Sequence, residues 1–249
     1  MKIFLAPLLA LTTTISALAD FDSLVKNGDA CDAKFQCDQA LAFYLPAEKL
    51  KPTDNALLVK ISRQYALRMN DLPRDADKIA TCRKALAYAE RAVAAAPDEC
   101  DGHLSVAICL GKLTPYLSNR EMIETSRKIK VAADKAVKLN PKSDYAWHLL
   151  GRWHQSLANV GGTTRLLASI IYDGLPAASN DQAVECFKKA IALNPNRLLH
   201  LVELGRTYAM MGKKAEAKKL LEAGLAMPNK EKDDPETKQR GRATLKEIS

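Results

Sequence analysis

Residues 144–155 read DYAWHLLGRWHQ, and residues 183–195 read AVECFKKAIALNP. Both segments repeat their apolar side chains every three or four residues, which is the period of an amphipathic helix. The second segment stops at Pro195, because proline cannot continue a helix. Gly151 and Ala183 are small enough for two helices to approach closely. The two segments therefore predict a pair of packed helices.

The same spacing of small, apolar and proline residues returns along the chain. It is typical of the tetratricopeptide repeat, a pair of antiparallel helices about 34 residues long. We expect such pairs near residues 21–52, 55–97, 107–141, 144–195 and 201–228. One pair cannot bury its own apolar face, but a stack of pairs builds a continuous core and a concave inner surface. The sequence therefore predicts an all-α, tetratricopeptide-repeat-like α-solenoid of about five helix pairs over residues 20–228.

Two further segments extend this pattern. Ala183 follows Gly151 by 32 positions, whereas about 12 separate the equivalent residues of a plain repeat. Residues 157–180 are therefore expected to be a helical insert in the fourth repeat. Residues 229–249 are polar, but Asp234-Pro235 is a good helix start, so we predict a final helix that caps the stack. A disordered tail is the alternative.

Residues 1–19 have the three regions of a secretory signal peptide. Lys2 gives a basic start, an apolar run follows, and small residues at Ala17 and Ala19 precede Asp20. This pattern predicts cleavage and a mature chain in a bacterial periplasm or outside the cell, without stable membrane insertion. The alternative is a membrane anchor through an uncleaved N-terminus, although a spanning helix needs about 20 apolar residues.

The composition favours some functions over others. The net charge is +8, which favours acidic partners, but nucleic-acid binding would need this charge clustered on one face and is not expected. GxSxG and HExxH motifs and catalytically spaced carboxylate pairs are missing, so an enzyme is not predicted. His148 and His154 are six positions apart, whereas metal ligands on one helix face need three or four. Neither a metal nor a cofactor is predicted.

Several segments resemble the regulator of microtubule dynamics family. They read AICL at residues 107–110, AVKLNPK at 136–142, HLLGRW at 148–153 and LGRTY at 204–208. The insert, with an apolar piece at residues 166–171, resembles the same family. The resemblance implies a helical repeat adaptor, and eukaryotic members associate with microtubules, spindle poles and mitochondria, or tether membranes. Tubulin is expected as a partner only if this chain is not exported.

Four basic residues follow the close-contact position of successive repeats: Arg63, Lys112, Arg152 and Arg206. We call them the basic row; Asp29 interrupts it in the first repeat. This position faces the concave groove of tetratricopeptide arrays, where Arg can bind a carboxylate through paired charge-assisted hydrogen bonds. We predict that the row binds a peptide carboxylate or an acidic segment of a protein partner. The alternative is that these side chains pair with neighbouring acids or are solvated.

Two of the six cysteines flank the interhelical turn of the first repeat. Cys31 and Cys37 are both expected to face inward. In an oxidising compartment a disulfide between them is predicted. Buried free thiols, which behave as small apolar side chains, are the alternative.

Aromatic residues cluster around the insert: Tyr145, Trp147, Trp153 and Tyr172. They are predicted either to form a pocket between the insert and the fourth repeat or to belong to the core. Our leading hypothesis is a non-enzymatic scaffold or adaptor that binds a protein or peptide on its concave face. A microtubule- or organelle-associated adaptor, and a small-molecule binder that uses the insert pocket, are the alternatives.

Overall fold

Eleven α-helices have both ends within the residues that this computed structural model describes, which are 8–162, 165, 168–169 and 174–249. No strand occurs in these residues. In chain order the helices are α1 (Leu8–Asp32), α2 (Cys37–Leu50), α3 (Asn55–Arg68), α4 (Asp75–Ala95), α5 (Cys100–Leu113), α6 (Asn119–Leu139), α7 (Asp144–Ala158), α8 (Asn180–Leu193), α9 (Leu198–Met210), α10 (Lys214–Ala226) and α11 (Asp234–Ile248).

Polar residues begin several of these helices. Asp54, Ser118, Ser143 and Ser179 stand just before α3, α6, α7 and α8, and each side chain accepts a hydrogen bond from a backbone N–H of the first turn. At α6 the side chain of Glu121 completes a capping box. The helix starts therefore follow from the local sequence, because these caps satisfy N–H groups that have no partner inside the helix.

The chain divides into two compact units, Met1–Pro97 and Asp98–Ser249. The first unit contains the hairpins α1–α2 and α3–α4. Its core forms around Tyr44, which is fully buried together with Ile61. A Cβ added at Gly28 of α1 would overlap the Tyr44 ring of α2. The ring therefore occupies the space that a side chain at position 28 would need.

The second unit contains the hairpins α5–α6, α7–α8 and α9–α10, followed by α11. A Cβ added at Gly151 of α7 would stand 2.9 Å from the buried Phe187 ring of α8. Gly205 of α9 faces Leu221 of α10 at the same distance. These glycines bring the two helices of a pair into direct contact. The five pairs and the final helix confirm the predicted tetratricopeptide-repeat-like α-solenoid.

The insert occupies residues 159–179, between α7 and α8, and its residues 162, 165 and 168–169 are helical. Arg165 donates a hydrogen bond to the carbonyl oxygen of Leu157 at 2.5 Å. Arg127 of α6 donates to the carbonyl oxygen of Gly174 at 3.2 Å. The described part of the insert is thus attached to both α6 and α7. Of the predicted apolar piece, residues 166–167 and 170–171 lie outside the described residues.

The C-terminal residues form a helix rather than the disordered tail that the sequence leaves as an alternative. α11 packs against α9 and α10. Asp234 and Thr237 are buried, and a Cβ at Gly241 would stand 3.1 Å from Val202. This contact covers the side chains at the end of the repeat stack, as a capping helix must.

The first helix contains part of the predicted signal peptide, because α1 begins at Leu8 and runs to Asp32. Cleavage before Asp20 stays a prediction. None of the helices in the described part of the chain combines the length and the apolarity that a membrane crossing requires.

All six cysteines lie in the described residues, and none of them forms a disulfide there. The structure thereby corrects the predicted disulfide between Cys31 and Cys37, which is not formed. The thiol of Cys37 is buried in the first turn of α2, 3.8 Å from the carbonyl oxygen of Phe35. Cys31 is only half-buried, and the other five cysteines are buried, as expected of thiols that pack like small apolar side chains.

Candidate partner-binding site

The basic row lies on α3, α5, α7 and α9, one position after the close-contact site of each helix. Every member has an acidic neighbour. The pairs are Arg63–Asp32 at 3.2 Å, Lys112–Asp233 at 3.5 Å, Arg152–Glu203 at 2.6 Å and Arg206–Glu203 at 2.7 Å. Arg63 belongs to the Met1–Pro97 unit and the other three to the Asp98–Ser249 unit. The row is thus engaged in ion pairs within the chain, and its binding of a partner stays a prediction.

The centre of the second unit's polar site is the carboxylate of Glu203, which is fully buried. Arg152 of α7 and Arg206 of α9 donate to its Oε2 at 2.6 and 2.7 Å, and Arg240 of α11 reaches its Oε1 at 3.4 Å. Burial alone raises the pKa of Glu203, but the three guanidinium groups outweigh burial and hold the pKa below its ordinary value. Glu203 is therefore ionised at neutral pH. We call Arg152, Arg206 and Arg240 the arginine cluster.

The arginine cluster carries more positive charge than its acidic neighbours neutralise. Arg240 also donates to Glu236 at 2.6 Å, and within the described residues Glu203 and Glu236 are the acids that pair with the cluster. Three guanidinium groups thus meet two carboxylates. The side chains of Arg152 and Arg240 are 34% and 30% exposed, so a ligand in solution can reach the unbalanced charge.

Gln155 fixes the position of Arg152. Its Oε1 accepts a hydrogen bond from Nη1 of Arg152 at 3.0 Å. Its Nε2 donates to the backbone oxygen of Glu203 at 3.2 Å and to the hydroxyl of Thr207 at 2.9 Å. Because both ends of this buried amide are bonded, the amide cannot rotate freely, and the guanidinium group of Arg152 is held in one orientation.

A second buried network joins α7 to α9. Nε2 of His200 lies 2.9 Å from Oδ2 of Asp144, and its Nδ1 lies 3.0 Å from Nδ1 of His148. Burial raises the pKa of Asp144, but the hydrogen bond from His200 and the charge of Arg197 hold it below its ordinary value. Asp144 is therefore an acceptor. It follows that His200 donates from Nε2 and accepts, at Nδ1, a hydrogen bond that His148 donates.

Both histidines of this network are neutral at pH 7. Burial lowers the pKa of His148 well below its ordinary value, and the charges of Arg152 and Arg197 act in the same direction. Burial also lowers the pKa of His200, although Asp144 opposes the shift. The network connects the same two helices that carry Arg152 and Arg206, and it therefore helps to set their spacing.

The third histidine of interest, His154, has different neighbours. It packs edge-on against Trp153, with 4.9 Å between ring centroids, and burial lowers its pKa. Across the described residues, no group of three or more His, Cys, Asp or Glu side chains is placed to hold a metal ion.

The aromatic residues next to the insert face different neighbours. Trp153 is buried and donates from Nε1 to the backbone oxygen of Ser126 at 2.9 Å. Trp147 donates from Nε1 to the backbone oxygen of Pro141 at 2.9 Å, and the ammonium group of Lys189 stands 4.1 Å from its ring centroid. The first ring therefore belongs to the α6–α7 interface, whereas the second is covered by a lysine of α8.

Tyr145 has a third environment, because the guanidinium group of Arg197 stands 5.0 Å from its ring centroid. Tyr172 lies outside the described residues. Each of the three described rings thus has its own neighbours, and the predicted insert pocket stays a prediction. The small-molecule alternative gains no support from their positions.

Sequence reasoning identified two members of the arginine cluster but missed Arg240 and the central Glu203. One signal was present: Glu203 is an acid on the apolar face of α9, three positions before Arg206, and such an acid requires a partner. The partners across the interface are Arg152 and Arg240, which lie 51 residues before and 37 residues after it. No local pattern connects positions so far apart.

Solved structures resemble this chain in fold. A thermophilic tetratricopeptide-repeat protein in Thermus thermophilus has a TM-score of 0.67 at 18% identity, with 90% of this chain and 98% of that chain covered. The pilF protein of Pseudomonas aeruginosa has a TM-score of 0.55 at 13% identity, with 94% and 90% covered. At such low identities these likenesses show the fold alone.

Curated relatives resemble part of the chain in sequence. Regulator of microtubule dynamics protein 1 of Bos taurus is 31% identical over 132 residues, which are 53% of this chain and 42% of the relative. Regulator of microtubule dynamics protein 3 of Xenopus laevis is 28% identical over 182 residues, which are 72% of this chain and 39% of the relative. The chain therefore spans about two fifths of the length of these relatives.

A family model matches more of the chain than either of these relatives does. The model described as Regulator of microtubule dynamics protein 1-3 matches residues 17–249. The matched residues run from within α1, through the insert, to the capping helix. The match agrees with the resemblance that the repeat segments indicate. On this match, the chain belongs to the regulator of microtubule dynamics family.

Proposed function

We propose that the protein is a non-enzymatic scaffold that binds an acidic segment of a protein partner at the arginine cluster. The tetratricopeptide-like fold and the family support a helical protein-interaction scaffold. The observation that carries the finer proposal is the convergence of three guanidinium groups, from α7, α9 and α11, on the single buried carboxylate of Glu203.

The buried carboxylate of Glu203 preorganises the arginine cluster for binding an external acid. Glu203 holds the guanidinium groups of Arg152 and Arg206 in fixed positions, and Gln155 adds a second constraint on Arg152. A ligand that binds groups already in place loses less conformational entropy than one that must order flexible side chains. Arginine can also bind a carboxylate through two parallel hydrogen bonds. An Asp or Glu side chain, or a peptide C-terminus, is the chemistry that fits.

The positive charge that the two acids leave unneutralised attracts such an acidic ligand to the arginine cluster. Arg152 and Arg206 share one carboxylate, and Arg240 has Glu236 in addition. The cluster is partly buried, so salt screens its charge less than it screens a fully exposed lysine. Lys112, the member of the basic row on α5, is an outlying position at which a longer acidic segment would make a further contact.

The experiment compares two arginines of the same helix. Arg240→Gln removes one cluster charge, while Arg242→Gln removes one exposed charge of α11 outside the cluster. We expect the first variant to bind a fluorescein-labelled hexaglutamate peptide about 10-fold more weakly than the wild type, the order of one charge-assisted hydrogen bond. The second should bind within about twofold of the wild type, since exposed charges contribute little.

Equal weakening by the two variants would mean that the peptide responds only to net charge, and it would overturn the proposed site. Circular dichroism and thermal melting of both variants serve as the folding control. Arg152→Gln provides a second cluster variant on α7, with the same expected direction.

We further propose that the chain is exported, because residues 1–19 have the regions of a signal peptide. The N-terminal mass of the protein from its native host tests this: a chain that starts at Asp20 supports export, and an intact Met1 contradicts it.

Family membership favours a second candidate, a microtubule- or organelle-associated adaptor. The relatives' names describe regulators of microtubule dynamics. Such a role applies to this chain only if it is not exported. Co-sedimentation with microtubules tests the idea, and retention of the protein in the supernatant at micromolar tubulin would contradict it.

A further inference from the structure

The turn that leads into the last helix contacts the basic row at a point far away in sequence. Asp233 lies 3.5 Å from the ammonium group of Lys112, a row member on α5 that stands 121 positions earlier in the chain. Both side chains are largely covered, at 22% exposure for Lys112 and 31% for Asp233. An acid of the C-terminal segment, residues 229–249, therefore occupies a row position in the way that a partner's acid would.

The turn that presents Asp233 is held rigidly. The neighbouring carboxylate of Asp234 is buried, and its Oδ2 accepts hydrogen bonds from the backbone N–H groups of Lys230 and Glu231 at 2.7 and 2.8 Å. On the other side of the loop, Lys238 donates to the backbone oxygen of Met227 at 2.5 Å. These bonds fold the loop back on itself, and they fix the place at which Asp233 emerges.

The same segment also contributes to the arginine cluster. Arg240 of α11 reaches the buried carboxylate of Glu203, whereas Asp233, seven positions earlier, approaches Lys112. The C-terminal segment thus adds the cation of Arg240 to the arginine cluster and pairs the acid of Asp233 with Lys112 of the basic row. Removing the whole segment would change both at once, so only a point substitution separates the two effects.

We propose that Asp233 is an intrinsic competitor that occupies Lys112 in place of a partner's acidic side chain, so that partner binding requires its displacement. The inference rests on the proposed function and names the regulation of the same site. It also describes the partner, which must carry an acid spaced to reach Lys112 while another acid binds the arginine cluster. Release of Asp233 removes this competing acid from Lys112 and leaves the arginine cluster intact.

The test uses the full chain and the hexaglutamate peptide. Asp233→Asn should bind about two- to fivefold more tightly than the wild type, because a partly exposed ion pair competes only weakly. Asp98→Asn is the matched control: it removes an acid from another ion pair of the same unit, with Lys135 at 3.3 Å, and should leave the affinity unchanged. The gain should vanish in the Lys112→Gln/Asp233→Asn double variant, relative to Lys112→Gln alone.

The possible outcomes distinguish a failure of the Asp233 competitor from a failure of the proposed function. If Arg240→Gln weakens binding but Asp233→Asn binds like the wild type, the competitor is refuted and the proposed function stands. If both Asn variants gain affinity equally, the gain reflects net charge, and the competitor is again refuted. If neither the wild type nor any variant binds the peptide, the proposed function fails, and the inference fails with it.

Discussion

Two glycines at equivalent repeat positions, Gly111 and Gly151, differ in how closely the neighbouring helix packs against them. Gly111 and Gly151 occupy the same place in the third and fourth repeats, and the repeat pattern predicts close helix contact at both. In the structure, Gly151 faces the buried Phe187 ring. Beyond its own turn of helix, no atom of the described residues lies within 4 Å of a Cβ built at Gly111. Spacing along a helix gives the face on which a residue lies. The size of the residue opposite decides whether glycine is required there.

We expect Gly151→Ala to lower the free energy of unfolding by about 1–3 kcal/mol, because its methyl group overlaps the Phe187 ring. Gly111→Ala adds the same methyl group in open space and should be neutral, or stabilising by up to about 1 kcal/mol through helix propensity. Urea unfolding followed by tryptophan fluorescence measures both, since the two tryptophans lie in the Asp98–Ser249 unit. Equal destabilisation by the two substitutions would show that this packing argument is wrong.

The contribution of Glu203 to stability depends on partners that are far away in sequence but adjacent in the structure. A buried acid that lacks cations is costly, and cations that lose a buried acid are costly too. We expect Glu203→Gln to lower the free energy of unfolding by about 3 kcal/mol, at the lower end of the range for broken buried pairs because the arginines are partly exposed.

The control for Glu203→Gln is Glu222→Gln on α10. Glu222 forms a surface ion pair with Lys218 at 3.9 Å, and its loss should change the free energy of unfolding by less than about 1 kcal/mol. The same tryptophan-detected urea transition reports on both variants. A loss at Glu203 no larger than at Glu222 would mean that the arginine cluster does not depend on the buried carboxylate.

At the scale of helices, the pair α7 and α9 is joined by histidines that are neutral in the folded state. The pKa values of His148 and His200 are lowered, whereas unfolding returns them to about 6.5. Below pH 6.5 the unfolded chain therefore binds protons that the folded chain does not. Stability is constant above this pH and falls as the pH drops toward the lowered pKa values.

We accordingly expect the Asp98–Ser249 unit to lose stability as the pH falls below about 6.5, by up to about 1.4 kcal/mol per pH unit for each fully titrating histidine. The pKa values of Glu203 and Asp144 are lowered below those of ordinary carboxyls, so their contribution is lost only in more acidic solution. His148→Gln should reduce the pH dependence in tryptophan-detected urea unfolding. An unchanged pH dependence would exclude His148 as a source of it.

The insert and the last helix differ in how well the sequence predicted them. The insert followed from one distance, the 32 positions from Gly151 to Ala183, because the repeat itself has a fixed length. The state of residues 229–249 stayed open, since their polar composition suits either a helix or a tail. Tertiary packing favours the helix, because Thr237 is buried and Gly241 packs against Val202.

At the scale of the whole molecule, the fold class could be predicted because helical repeats express their architecture locally, through periodicity, small residues and prolines. The site could be predicted only in part. Repeat position led to Arg152 and Arg206, whereas Arg240 is joined to them by the docking of α11 onto α9. The aromatic residues were grouped by nearness in sequence, but Trp153 bonds to α6, whereas Trp147 contacts a lysine of α8.

The central claim, that the arginine cluster binds an acidic segment, is tested most directly by observing the arginine side chains themselves. The measurement is an NMR titration of the Nε–Hε signals of arginine with unlabelled hexaglutamate peptide. We predict that Arg152, Arg206 and Arg240 shift together and saturate with one dissociation constant, while the exposed Arg242 barely shifts. Signals of the cluster that stay in place, or that shift no more than Arg242, would contradict the account.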